Sequence, residues 1–200
     1  MELRDALSAR RMVRSFDGSP IDLEVLDELC REALRAPSAG NTAGTSFVTV
    51  AGADVAGYFD AATDADWRAN APRASGLMRA SAVVAALCQP DMYLSRYGEP
   101  DKEKSALSDR DRWKVPYWYT DAAMATMALL LLIEEAGFSA TLWGNFRREE
   151  QVLDFLDAPM GSTLFATILL GRTDGSDRRS ASLDRDTATR QQRVRRLELD

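Results

Sequence analysis

An α+β sandwich around a mixed sheet is the fold class this sequence predicts, and three observations predict it. Short strand-like runs and helical stretches are intermixed along the chain, with no block of one kind. A single long apolar helical run, Ala122 to Ile133, lies at the centre. The length of 200 residues, 46% of them hydrophobic, supports one good core and little more. Neither an internal repeat nor a dividing linker is visible, so residues 1–200 read as one domain.

The elements follow in order. Residues 2 to 10 read as a short helix. Asp22 is a suitable N-cap for a helix through about Leu34, because its carboxylate can accept from a first-turn amide. Leu26, Leu29, Cys30, Ala33 and Leu34 recur there at helical spacing and leave Asp27, Glu28, Arg31 and Glu32 for water. Ser46 to Ala51 alternates and is rich in Val and Phe, which predicts a strand. Ala53 to Ala62 and the stretch around Leu77 are helical in pattern. Ala82 to Cys88 is continuously apolar and of strand length, as expected for a strand buried on both faces.

From Pro90 to Thr120 the pattern breaks. A small helix over Asp91 to Leu94 leads into a charged, solvent-facing stretch, Glu99 to Lys104, and then into the aromatic run Trp113 to Tyr119. Thr120 or Asp121 is the expected cap of the apolar helix, which runs to Glu135 and ends at Gly137. Phe138 to Trp143 reads as a strand, Glu149 to Leu156 as a helix and Thr163 to Leu170 as a second buried strand. Beyond Gly171 the chain turns polar and Arg-rich. An arm of that composition, residues 172–200, cannot fold alone and is expected to dock, with a partner subunit as the natural surface.

Composition narrows the function. A net charge of -6 argues against nucleic acid or an anionic membrane as partner. The apolar run to Ile133 is shorter than the roughly 20 residues that cross a bilayer, and the N-terminus has no apolar signal-peptide core. Cys30 and Cys88 fall in apolar patterns with no metal spacing, as reduced core residues of a cytoplasmic protein would. The chain has no histidine. That excludes a Ser-His-Asp triad, a Cys-His pair and His-ligated zinc or haem. Proton chemistry near neutral pH must then come from perturbed carboxylates, Lys, Tyr, water or a cofactor, and no metal set is expected.

Two early segments carry the strongest functional signal. Arg10, Arg11 and Arg14 place three guanidinium forks within five positions, suited to a phosphate; the alternative is surface decoration. Ala36-Pro37-Ser38-Ala39-Gly40-Asn41 offers small side chains and exposed amides for close approach to a flat polar ring, or is simply a helix-terminating turn.

Taken in order, these segments resemble the nitroreductase family of dimeric, FMN-dependent oxidoreductases. The family's first cluster typically reads Arg-Arg-Ser-x-Arg-x-Phe. Arg10, Arg11, Arg14 and Phe16 match it, while Met12 replaces the Ser and removes a hydroxyl near the ribityl phosphate. The second reads Ala-Pro-Ser-x-x-Asn-x-Gln-Pro-Trp; Ala36, Pro37, Ser38 and Asn41 match, and Ala43, Gly44 and Thr45 depart from it. Gly137 to Gly144 resembles the family's Gly-Leu-x-Ser-x-Trp-x-Gly segment. Leu170-Gly171-Arg172 with Asp177-Arg178-Arg179 resembles its closing strand and basic phosphate contact.

The resemblance implies a homodimer with exchanged C-terminal arms and two FMN sites at the interface. In it, Arg10, Arg11 and Met12 lie on the phosphate and ribityl side, and Arg178 and Arg179 add to the phosphate site. Arg14 reaches flavin N1 and O2, where a cation favours the reduced, anionic ring. Pro37, Ser38, Ala39 and Asn41 contact the flavin held mainly by the other subunit. Leu142, Trp143 and Gly144 border N5, with Trp143 equally readable as core. Residues 90–120 form a lid, from which Tyr93, Tyr117 or Trp118 stacks on substrate or nicotinamide unless these aromatics only pack. Arg73 and Arg79 are further candidates for the ring edge. The implied reaction is ping-pong, from NADH, NADPH or a deazaflavin to a nitroaromatic or quinone, with no side chain as catalytic acid or base. A non-catalytic flavin-sequestering protein, or a branch that uses FMN and oxygen to modify a small molecule, are the alternatives.

Overall fold

The computed structural model describes residues 1–144 and 147–177. Eight α-helices are seen among them: α1 (Leu3–Ala9), α2 (Leu23–Ala33), α3 (Asp54–Ala62), α4 (Ala65–Asn70), α5 (Ala74–Leu77), α6 (Pro90–Tyr97), α7 (Tyr117–Glu135) and α8 (Glu149–Phe155). Four strands, β1 (Thr45–Ala51), β2 (Ala82–Cys88), β3 (Ser139–Trp143) and β4 (Thr163–Gly171), form one sheet in the order β1-β2-β4-β3. All three ladders are antiparallel. The parallel component of the expected mixed sheet is confined to a bridge between Met12 and Ala140. The α+β class stands.

The alternation of a strand explains the core. Ala82, Val84 and Ala86 of β2 face α2 and α7, where Leu26, Leu29, Leu129 and Ile133 close one apolar layer. Val83 and Leu169 face the other way, against Phe16, Tyr58, Phe59, Leu77 and Val152. Both faces of β2 are therefore covered, as its unbroken apolar run required. Helix α2 starts where the sequence said it would, with the Asp22 carboxylate accepting from the Glu24 amide at 2.9 Å. Helix α7 ends in a Schellman turn. The Phe138 amide donates to the Ile133 carbonyl and Gly137 takes φ +78°, a conformation that costs glycine little.

Two boundaries and one helix differ from expectation. Helix α7 begins at Tyr117, before Thr120 and Asp121, because Pro116 fixes the break and the chain turns helical directly after it. Tyr117, Trp118 and Tyr119 thus form its first turn, and Asp121 lies inside the helix. Helix α6 is longer than Asp91–Leu94, starting at Pro90 in the favoured first-turn position. Helix α4 was not anticipated; Asp64 caps it by accepting from the Trp67 amide at 2.7 Å. Of the expected arm, Arg172 to Asp174 contact this chain's own Ser15–Asp17 segment, and residues 178–200, with the Arg178–Arg179 pair, lie outside the described residues.

Candidate functional site

The segment after α1 lies along the outer edge of β3. Val13 N–H donates to the Ala140 carbonyl at 2.9 Å, and the Leu142 amide donates to the Met12 thioether at 3.2 Å. Further on, Phe16 is fully buried and bridges to Thr173, and Asp17 N–H donates to the Arg172 carbonyl. This pairing sets Met12 against Ala140 and Leu142 of β3. Arg10 is half-buried, and its Nη1 is sealed from solvent without a partner among the described residues. A buried cationic N–H left unpaired is costly, so this atom suits an anionic ligand. Arg11 is exposed. Arg14 is half-buried and donates through Nη1 to the Met12 carbonyl at 3.0 Å.

A concavity of about 490 Å³ opens beside Arg14, and Arg73 stands in its wall with Gly76 and Ser176. Two guanidinium groups thus share one basin. Gly76 is required here, since an added Cβ would lie 2.6 Å from the Arg14 carbonyl. Arg79 has a different task. Its Nε donates to the Phe16 carbonyl at 2.8 Å, and Nη2 pairs with Asp174. The Ser176 amide and the Ser15 hydroxyl also donate to Asp174 and, with Arg79, hold its carboxyl well below the usual value of 3.8. Arg79 and Asp174 latch the Arg14–Phe16 segment to the exit of β4.

The Pro37–Asn41 loop sits elsewhere. Its concavity, about 470 Å³ with Pro37, Ser38, Asn41 and Asp121 in its walls, shares no lining residue with the Arg14 basin. The loop is held from several sides. Ala39 N–H donates to Asp121 Oδ2 at 2.8 Å, Arg96 Nε donates to the Gly40 carbonyl at 2.9 Å, and Ala43 N–H donates to Ser38 Oγ at 2.9 Å. Gly40, Asn41 and Ala43 all have positive φ, a strained run for the alanine. Asp121, only 4% exposed, also accepts from Tyr93 Oη at 2.9 Å. Sequence reasoning offered Asp121 only as a helix cap. Its signal was a lone carboxylate at the head of an otherwise apolar helix.

The lid aromatics divide. Tyr93 and Trp118 are buried around Trp113, and burial with the Asp121 bond raises the Tyr93 phenol above its normal range. The stacking expectation for those two meets a physical obstacle: their faces are already covered by this chain. Tyr117 is 42% exposed and presents an available ring. Trp143 packs against Phe59 and Trp67, with ring centroids 5.8 and 5.5 Å apart, and lines a cavity of about 360 Å³ with Gly144, Arg147 and Arg148. Trp67 was not anticipated at this site. Cys30 and Cys88 are buried free thiols, each pushed up to about 12 by burial. Among the described residues, no cluster suited to a metal ion is present, and no helix is long and apolar enough to cross a membrane.

The model of the nitroreductase family matches residues 7–172. Solved structures agree in fold. A nitroreductase-like family protein from Bacillus cereus is 15% identical with a TM-score of 0.69, over 99% of this chain and 97% of that one. Nitroreductase CinD from Lactococcus lactis, in complex with nicotinic acid, is 17% identical at TM-score 0.72, over 94% and 99%. A nitroreductase from Exiguobacterium sibiricum in complex with FMN is 16% identical at TM-score 0.68, over 90% and 92%. No curated protein matches.

Proposed function

The chain belongs to the nitroreductase family, and from that premise we propose that it is an FMN-dependent oxidoreductase. It takes electrons from NADH, NADPH or a deazaflavin and passes them, in ping-pong order, to an electrophilic acceptor such as a nitroaromatic or a quinone. The observation that carries this reading is the buried Arg10 Nη1, without a partner among the described residues, just before the segment laid along β3. Such an atom fits a cofactor phosphate. Arg14 and Arg73 fit the edge of a ring that gains negative charge on reduction.

Bound FMN supplies hydride acceptance and donation at its N5. The chain's own residues bind, orient and shield. Arg10 and Arg11 would neutralise the phosphate, and the resemblance would add Arg178 and Arg179 to them. Arg14 and Arg73 would stabilise charge at the pyrimidine edge, and the backbone at Leu142 to Gly144 would permit close approach. The chain has no histidine, and the reading needs no side-chain acid or base.

Separation of the Pro37–Asn41 loop from the Arg14 basin supports a homodimer in which Pro37, Ser38, Ala39 and Asn41 serve the flavin of the other subunit. Tyr117, exposed at the head of α7, is the residue to stack on an acceptor or nicotinamide. A cytoplasmic setting is proposed on the two buried free thiols.

Steady-state kinetics with the FMN-loaded protein, NADPH or NADH and a quinone test the reading. Parallel double-reciprocal lines support ping-pong transfer. Bound FMN without turnover by either nicotinamide or a reduced deazaflavin would instead mark a sequestering protein.

A further inference from the structure

The departure at Met12 has a structural counterpart. On a strand, backbone N–H groups point alternately to the two sides. In β3, every residue from Ser139 to Trp143 is in register with β4, so contacts on the free edge mark the outward peptide groups. Ala140 and Leu142 turn their peptide groups to the outer edge, since the Ala140 carbonyl accepts from Val13 and the Leu142 amide donates to Met12 Sδ. The same period carries the next outward amide to Gly144, just beyond the strand end. Trp143 is thereby removed as an outward donor, and Leu142 and Gly144 remain.

The Leu142 amide is already engaged. Met12 is anchored through its backbone by the bridge to Ala140 and by Arg14 Nη1 on its carbonyl, and its side chain packs on the main core. These contacts hold the sulfur over the Leu142 N–H. A thioether is a weak acceptor, but it satisfies an amide that would otherwise be offered to a ligand. Arg14, the residue assigned to the ring edge, hangs on the same Met12 carbonyl.

We infer that Met12 is a positioning residue that occupies the Leu142 amide, leaves Gly144 as the backbone donor to the flavin, and so holds the reduction potential below that of a site with both donors. This rests on the FMN reading above. Donors aimed at the ring favour its electron-rich, reduced form, so withholding one lowers the potential.

The test uses the FMN-loaded protein and two substitutions of similar length. Met12→Leu removes the acceptor and keeps the packing, whereas Met12→Gln keeps an acceptor over Leu142. Met12→Leu is expected to bind reduced over oxidised FMN about tenfold better than the original protein does, a rise of about 30 mV for the two-electron couple. Met12→Gln is expected to stay at the original potential. Equal potentials for the original protein and Met12→Leu, with FMN bound in both, would overturn the inference and leave the FMN reading intact. Absence of FMN binding in the original protein would instead remove the reading itself.

Amide hydrogen exchange of the unsubstituted protein, with and without FMN, gives an independent result should Met12→Leu fail to fold. Gly144 is expected to slow on FMN binding while Leu142 stays unchanged. Slowing at Leu142 would overturn the inference.

Discussion

Replacing Asp121 should loosen the Pro37–Asn41 loop and weaken FMN binding. Its Oδ2 accepts from the Ala39 amide at 2.8 Å and from the fully buried Tyr93 hydroxyl at 2.9 Å. Asp121→Ala strips both donors of their acceptor. At about 1–3 kcal/mol for each buried group left unpaired, the cost is about 3 kcal/mol, which a domain of ordinary stability survives. Asp121→Asn keeps one oxygen and loses the charge. Part of the weakened bonding is offset because a carboxylate no longer has to be taken from water, so its cost is about 1 kcal/mol.

A freed loop must be ordered again when the cofactor binds. Fixing even one backbone residue costs about 1–2 kcal/mol, so Asp121→Ala should weaken FMN binding about tenfold. Urea unfolding and a flavin-fluorescence titration measure the two effects. A double-mutant cycle with Tyr93→Phe isolates the pair, and its coupling should be about 1 kcal/mol or more. Asp121→Ala with unchanged unfolding free energy and unchanged FMN affinity would refute the reasoning.

Three further outcomes are expected. Gly76→Ala drives a Cβ to 2.6 Å from the Arg14 carbonyl; FMN affinity should fall about tenfold, and an unchanged titration would contradict the placement of that basin. The depressed Asp174 carboxyl binds its proton less readily folded than unfolded, so its contribution to stability is complete above about pH 4 and fades as pH falls through its folded value. Urea unfolding should therefore find Asp174→Asn less stable than the original at neutral pH, with the gap narrowing in acid; a gap that widened would reverse the sign. Cys30 and Cys88, each raised to about 12, should resist Ellman's reagent at mildly alkaline pH until urea unfolds the chain.

Legibility in the sequence followed how local the signal was. The α2 cap at Asp22 and the glycine stop at Gly137 are written in neighbouring residues, and both were read correctly. The double burial of β2 followed from an apolar run with no polar alternation. Helix α4 was missed because its pattern is short and mostly polar, leaving Asp64 as its main marker. The start of α7 was misplaced because Thr120 and Asp121 are good caps in isolation, and Pro116 overrode them.

At the candidate site, the order of motifs singled out segments but not their contacts. Arg73 and Arg79 look alike in sequence; one lines the basin and the other ties down Asp174. Tyr93, Tyr117 and Trp118 are equally aromatic, and only packing separates the buried rings from the exposed one. The Met12 sulfur on the Leu142 amide and the Asp121 carboxylate under the loop are pairings across more than 80 residues. No local pattern encodes them.

The visible absorbance of the purified protein, followed without oxygen as NADPH or NADH is added, tests the central claim most directly. Flavin bands at about 370 and 450 nm that bleach as the donor reduces bound FMN are expected. Absence of such bands, even after FMN is supplied, would contradict that claim.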